Sequence, residues 1–109
     1  MLVRCTKHGR LRVEERVKDH REFFEALGAG HFVTLDTNYR NSGTNTVLLF
    51  SLTEQKFYLA GIFYDAERML LATCYPTSPW HDHKLKITKE IKKKARDTRM
   101  WGVLNEEKE

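Results

Sequence analysis

Thr46-Val47-Leu48-Leu49-Phe50-Ser51-Leu52, then Lys56-Phe57-Tyr58-Leu59-Ala60-Gly61-Ile62-Phe63-Tyr64, then Met69-Leu70-Leu71-Ala72-Thr73-Cys74-Tyr75 form the stretch that decides the fold. Each run is dominated by β-branched, aliphatic and aromatic residues, which fit a pleated surface. Thr53-Glu54-Gln55 and Asp65-Ala66-Glu67-Arg68 separate them. Breaks of three or four residues cannot cross over a sheet, so the runs predict an antiparallel meander. Pro76 ends the last strand. Phe57, Tyr58, Phe63 and Tyr64 are expected mostly in the core, with an outward ring able to stack on an unpaired base.

Moving towards the N-terminus, Asp36 to Asn45 is rich in Asn, Ser and Gly and reads as a loop. Its Tyr39 and Arg40 can both stack on bases, which makes them candidate nucleic-acid contacts. His31-Phe32-Val33-Thr34-Leu35 alternates like a strand. Before it, Asp19 can cap a short helix that carries Phe23, Phe24, Ala26 and Leu27 and stops at Gly28-Ala29-Gly30. Thr6 can cap an earlier helix over about 7–18, in which Gly9 costs about 1 kcal/mol relative to Ala. Leu2-Val3-Arg4-Cys5-Thr6 reads as a short strand or an extended lead-in.

Within the first helix, His8, Arg12 and Arg16 are spaced four apart and form one stripe. An imidazole exchanges protons near neutral pH, and a guanidinium grips phosphate as a fork. Together they are the groups that cleavage of RNA by its own 2′-hydroxyl requires. Thr73 and Tyr75, two apart on a strand, present to one face and can complete such a site, with Tyr58 or Lys56 as further candidates. The competing reading is a solvated face on which Glu14 and Glu15 pair with the arginines.

Towards the C-terminus, Pro76 to Pro79 breaks the pattern, and a helix is expected over about 82–99. Ile87, Ile91 and Ala95 would dock it, Trp101 would anchor its end and Gly102 would terminate it. The net charge of +4 is concentrated here. Lys84, Lys86, Lys89, Lys92, Lys93, Lys94, Arg96 and Arg99 stand against Glu90 and Asp97 alone. The segment is therefore +6 and the remainder of the chain −2. All eight basic residues are candidate nucleic-acid contacts, since a localised positive stripe suits a polyanion.

The chain has 109 residues, 40% hydrophobic and 31% charged, which suits one folded domain over 1–101 with its core in 2–80. Residues 102–109 read as a flexible acidic tail. No apolar run approaches the roughly 20 residues that span a bilayer, and the first residues lack a secretory apolar stretch. Cys5 and Cys74 are too few for a disulfide framework, so a reducing, cytoplasmic setting is expected. Cys74, in an apolar strand, reads as a buried, inert thiol. His81-x-His83 lacks any recognised zinc spacing, so neither a metal nor a cofactor is expected.

Thr6, His8, Arg12, Glu15 and Arg16, then Tyr64-Asp65-Ala66-Glu67 and Leu71-Ala72-Thr73-Cys74-Tyr75-Pro76, carry a resemblance. Over about residues 3–76 the chain resembles small toxin-like bacterial and phage proteins. These are similar in turn to ribonucleases of the barnase, EndoU, colicin and RelE type. The resemblance implies an α+β fold, with N-terminal helices on a curved antiparallel sheet of three or four strands. It also implies a metal-independent endoribonuclease or RNA-binding module, with RNA as partner and a cognate antitoxin or host protein as a second. The basic helix lies outside it. The alternative function is a non-catalytic phage or mobile-element protein that inhibits or redirects a host protein. In that case His8, Arg12 and Arg16 would lie on a convex or ion-paired face.

Overall fold

Local signals start each element where its polar caps stand. The structure, a computed structural model, describes residues 2–35, 44–64 and 67–108, the last four of these as backbone. Tyr39 and Arg40, with Asp65 and Ala66, lie outside the described residues. After β1 (Val3–Cys5), the Thr6 hydroxyl accepts from the Gly9 N–H at 2.9 Å and opens α1 (Lys7–Arg16). Asp19 accepts from the Glu22 N–H at 3.0 Å and opens α2 (His20–Ala29). Gly30, at φ 76°, closes α2 in the left-handed conformation that costs glycine least.

β2 (Val33–Thr34), β3 (Asn45–Ser51), β4 (Lys56–Tyr64) and β5 (Met69–Pro76) follow. Among the described residues the strands form one five-stranded sheet in the order β1-β5-β4-β3-β2. The β3–β4–β5 meander is antiparallel throughout. The sheet as a whole is mixed, because β1 pairs parallel to β5, with Val3 opposite Met69 and Cys5 opposite Leu71. This corrects the purely antiparallel expectation. The parallel pair is allowed because α1, α2 and three strands intervene, far more chain than a crossover needs.

A bulge interrupts the β4–β5 ladder: Gly61 faces Thr73, but Ile62 faces Leu71, so Ala72 is the extra residue. It puts Leu71 and Cys74, three apart, on the same side of the sheet, where alternation would oppose them. That side packs on Val13 and Val17 of the α1 segment and on Phe23, Ala26 and Leu27 of α2.

The other side is also covered. Leu48 and Leu59 pack on Leu85, Ile87 and Ala95, with Phe57, Tyr75 and Ile91 around them. A sheet covered on both faces explains the unbroken apolar run Val47–Phe50, all buried. Phe63 and Tyr64 are exposed, contrary to the core expectation for them.

The expected helix over 82–99 is two helices, α3 (Pro79–Lys84) and α4 (Lys89–Lys108). Lys86 takes φ 56° between them, which no helix interior accommodates. Ser78 with Pro79 at the first turn starts α3, and Thr88, accepting from the Ile91 N–H at 3.2 Å, starts α4. Gly102 lies inside α4, where a side chain would stand 2.3 Å from His31 Nε2. The helix continues through 102–108 of the segment read as a flexible tail.

A buried polar cluster fixes α4 to the rest. The Glu22 carboxylate accepts from Ser51 Oγ at 2.7 Å, from the Leu52 and Thr53 N–H groups at 2.7 and 3.1 Å, and from Arg99 at 3.4 Å. Arg99 also reaches His31 Nδ1 at 2.8 Å. Arg99 is 2% exposed, so it is an interior residue and not a nucleic-acid contact. An unpaired guanidinium there would be prohibitive, and Glu22 supplies its counter-charge.

Candidate functional site

Gly9 and Val13 of α1, with Val17 beyond it, are buried. His8, Arg12 and Arg16 each precede one of these by one residue, about 100° round the helix. They therefore flank the buried stripe at the rim of the contact between α1 and the sheet. Gly9 makes that contact close, because a Cβ on it would stand 2.2 Å from the Leu71 carbonyl oxygen. Arg16 Nη1 donates to the Cys74 carbonyl at 2.9 Å, tying the stripe to β5.

The rim opens on a cleft of about 630 Å³. His8, Arg12 and Arg16 line it from α1, Thr46, Gly61, Thr73, Tyr75 and Pro76 from the sheet, and His81 from α3, with Thr44 beside them. All five side chains predicted as catalytic thus share one concavity. Among the described residues that line it, none is acidic. Gly61 keeps the floor open, since a Cβ there would crowd Thr73 Cγ2 at 3.0 Å.

The two arginines are partly anchored. Arg12 Nε donates to His8 Nε2 at 3.3 Å, and its Nη1 pairs with Glu15 at 2.8 Å. Arg12 Nη2, and Nε and Nη2 of Arg16, make no hydrogen bond to the described residues. Arg16, held through Nη1 alone, keeps its Nε and Nη2 for bidentate contact with an oxyanion, whereas Arg12, held through both Nε and Nη1, keeps Nη2. Because His8 Nε2 accepts a hydrogen bond, the neutral ring carries its proton on Nδ1.

His81 is the site residue that the sequence reading missed. Its ring stacks on Tyr75 with centroids 4.7 Å apart, and its Nδ1 lies 2.8 Å from Ser78 Oγ. Burial lowers its pKa from the ordinary imidazole value, and the nearby Asp82 carboxylate only partly opposes this. Trp80, 55% exposed, meets the His81 ring edge-on at 5.1 Å. The local signal was Ser78-Pro79, a helix start that brings His81 round towards Tyr75.

Tyr58 and Lys56 do not join the cleft. Tyr58 is buried on the opposite side of the sheet, and its hydroxyl donates to Glu54 Oε1 at 2.7 Å. Lys56 lies near Glu54 at 3.7 Å and over the Tyr58 ring. Cys74 is buried, and burial pushes its thiol up to about 12, far from a nucleophile's range.

Of the basic residues, Lys84, Lys86, Lys89, Lys93, Lys94 and Arg96 are exposed. Lys92 is held by Asp82 at 2.6 Å, and Arg96 lies over the Phe50 and Phe57 rings. Among the described residues no group of three or more His, Cys, Asp or Glu side chains is placed to hold a metal ion. Nor is any helix among them long and apolar enough to cross a membrane. Comparison with protein-family models, curated proteins and solved structures finds no match to this chain.

Proposed function

We propose that the cleft binds a phosphodiester of single-stranded RNA and cleaves it by attack of the adjacent 2′-hydroxyl. The observation that carries this reading is the convergence of His8, Arg12 and Arg16 from α1 with His81 from α3 in one concavity. Two imidazoles supply the base and the acid, and two guanidiniums neutralise the charge that builds on phosphorus. His81, kept neutral by burial, accepts the 2′-hydroxyl proton as the 2′-oxygen bonds to phosphorus. Arg12 leaves His8 for the phosphate, the freed His8 Nε2 takes up a proton from solvent, and the imidazolium so formed delivers that proton to the departing 5′-oxygen. The bond from phosphorus to that oxygen breaks, leaving a 2′,3′-cyclic phosphate and a 5′-hydroxyl.

The substrate must be unpaired at the site, because a base splayed out of its stack is what an exposed ring such as Trp80 can hold. Lys84, three residues beyond His81 on α3, supports the flanking backbone by charge, an effect that salt weakens.

Labelled single-stranded RNA incubated with the protein in EDTA tests the reading, beside His8→Ala and His81→Ala. The native protein is expected to cut, and each variant to lose activity by at least ~100-fold while still binding RNA. Equal binding with no cleavage by all three would overturn it.

A further inference from the structure

Asp82 follows His81 on α3 but does not line the cleft. Its carboxylate is satisfied from one side only. Oδ2 accepts from Lys92 Nζ of α4 at 2.6 Å, while Oδ1 is buried without a hydrogen-bond partner. Asp82 and Lys92 are 27% and 28% exposed, so water screens the pair only in part and its charges reach their neighbours.

The backbone pins Asp82 as well. Its N–H donates to the Ser78 carbonyl at 3.0 Å, and its own carbonyl accepts from the Ile87 N–H at 2.9 Å. Lys92 Nζ lies 5.8 Å from the centre of the Phe57 ring, and Phe57 and Tyr75 pack around the same core cluster. The ion pair therefore holds a fixed place beside His81.

Each element around His81 brings a charged or titratable group. His8, Arg12 and Arg16 of α1 line the cleft with it, and Tyr75 of β5 stacks on its ring. Asp82, His83 and Lys84 stand with it on α3, and Lys92 of α4 comes in through Asp82. Of these groups Asp82 alone is acidic. It favours an imidazolium on His81, and burial opposes one. A general base needs both influences, to be neutral before it takes the proton and stabilised once it has.

We infer that the Asp82–Lys92 pair tunes His81 as a base, Lys92 setting how much of the Asp82 charge the imidazole feels. The inference rests on the proposed role of His81 in RNA cleavage. Neither residue lines the cleft, so both are positioning residues that act through His81. The ammonium offsets part of the carboxylate's pull, which keeps His81 unprotonated near neutral pH. As His81 takes the 2′-hydroxyl proton, the carboxylate stabilises the new charge. Through this pair α4 is joined to the chemistry.

Proton NMR of the His81 ring from about pH 4.5 to 8.5, without RNA, tests this, with the signals assigned by their loss in His81→Ala. Asp82→Asn is expected to lower the His81 midpoint by about half a pH unit or more, because the carboxylate charge is gone. Lys92→Gln is expected to raise it by a similar amount, since the amide can still bond Asp82 but carries no charge. Lys92→Arg, which keeps the charge, is expected to leave the native midpoint. The acid limb of the kcat/KM profile for RNA cleavage should follow the same shifts. A nuclear Overhauser contact between the His81 and Tyr75 rings checks that each variant keeps α3 in place. If Asp82→Asn loses that contact, Lys92→Gln against Lys92→Arg decides. Midpoints that stay fixed, or that move the same way in Asp82→Asn and Lys92→Gln, would overturn the inference and leave the pair as a clip between α3 and α4. Opposed shifts in a protein that does not cut RNA would uphold the electrostatic control of His81 and count against the cleavage reading alone.

Discussion

Gly9 shows how one residue reverses meaning between sequence and fold. By helix propensity it is a defect worth about 1 kcal/mol, and alanine should improve α1. In the structure the missing Cβ is what lets α1 lie against the Leu71 carbonyl. Gly9→Ala is therefore expected to destabilise the protein by about 1–3 kcal/mol in urea denaturation, the usual range for overpacking a tight contact. It should also weaken RNA cleavage, because His8 and Arg12 move with the helix. A gain in stability would mean that α1 does not press on β5 as described. The His8, Arg12 and Arg16 stripe was legible because helical spacing alone defines it. His81 was not, because it meets Tyr75 through a turn of the chain and not through any spacing. Arg99 was half legible. Ile87, Ile91 and Ala95 step by four, and the next step is Arg99, which a count of basic residues alone assigns to the surface.

At the scale of elements, the meander was legible because apolar runs and short turns fix neighbouring antiparallel strands. The parallel pairing of β1 was not, since three residues carry no record of a partner more than sixty positions away. The α3–α4 break had visible caps at Ser78 and Thr88, but continuous basic character masked them. Beside the packing of Ile91 and Ala95 on the sheet, the Glu22–Arg99–His31 cluster docks α4, and Glu22 makes that part of the docking pH-dependent. Burial alone would raise the Glu22 pKa. Hydrogen bonds from Ser51 and from the Thr53 and Leu52 N–H groups, together with the Arg99 charge, outweigh it and lower the value. A carboxylate whose folded pKa is lowered adds stability above its unfolded value, which is about 4.3 for glutamate. That contribution is lost as the pH falls through the folded value. Urea midpoints measured from pH 7 down into the acid range are expected to show this loss in the native protein. Glu22→Gln should be less stable at pH 7 yet fall less steeply on acidification. Parallel pH curves for the two proteins would show that Glu22 is not the linked group.

At the scale of the whole molecule, the sheet separates two tasks. One side is sealed by α1 and α2, and the other by α4 with the segment that leads into it. The cleft opens between α1 and α3, where Thr73 and Tyr75 lie beyond the β5 bulge. The bulge sets which residues point there, so an extra residue in one strand is part of the site's geometry. The exposed basic residues of the C-terminal segment lie on α3, α4 and the turn between them, with Lys84 three residues from His81. The proposed reaction cuts RNA in this cleft through its own 2′-hydroxyl. The most direct measurement is the chemistry of the new ends, read by mass spectrometry after incubation with a short RNA in EDTA. A 2′,3′-cyclic phosphate and a 5′-hydroxyl are expected, with no cut where the scissile nucleotide is 2′-deoxy. Ends bearing a 3′-hydroxyl and a 5′-phosphate, or equal cutting at the deoxy position, would contradict it.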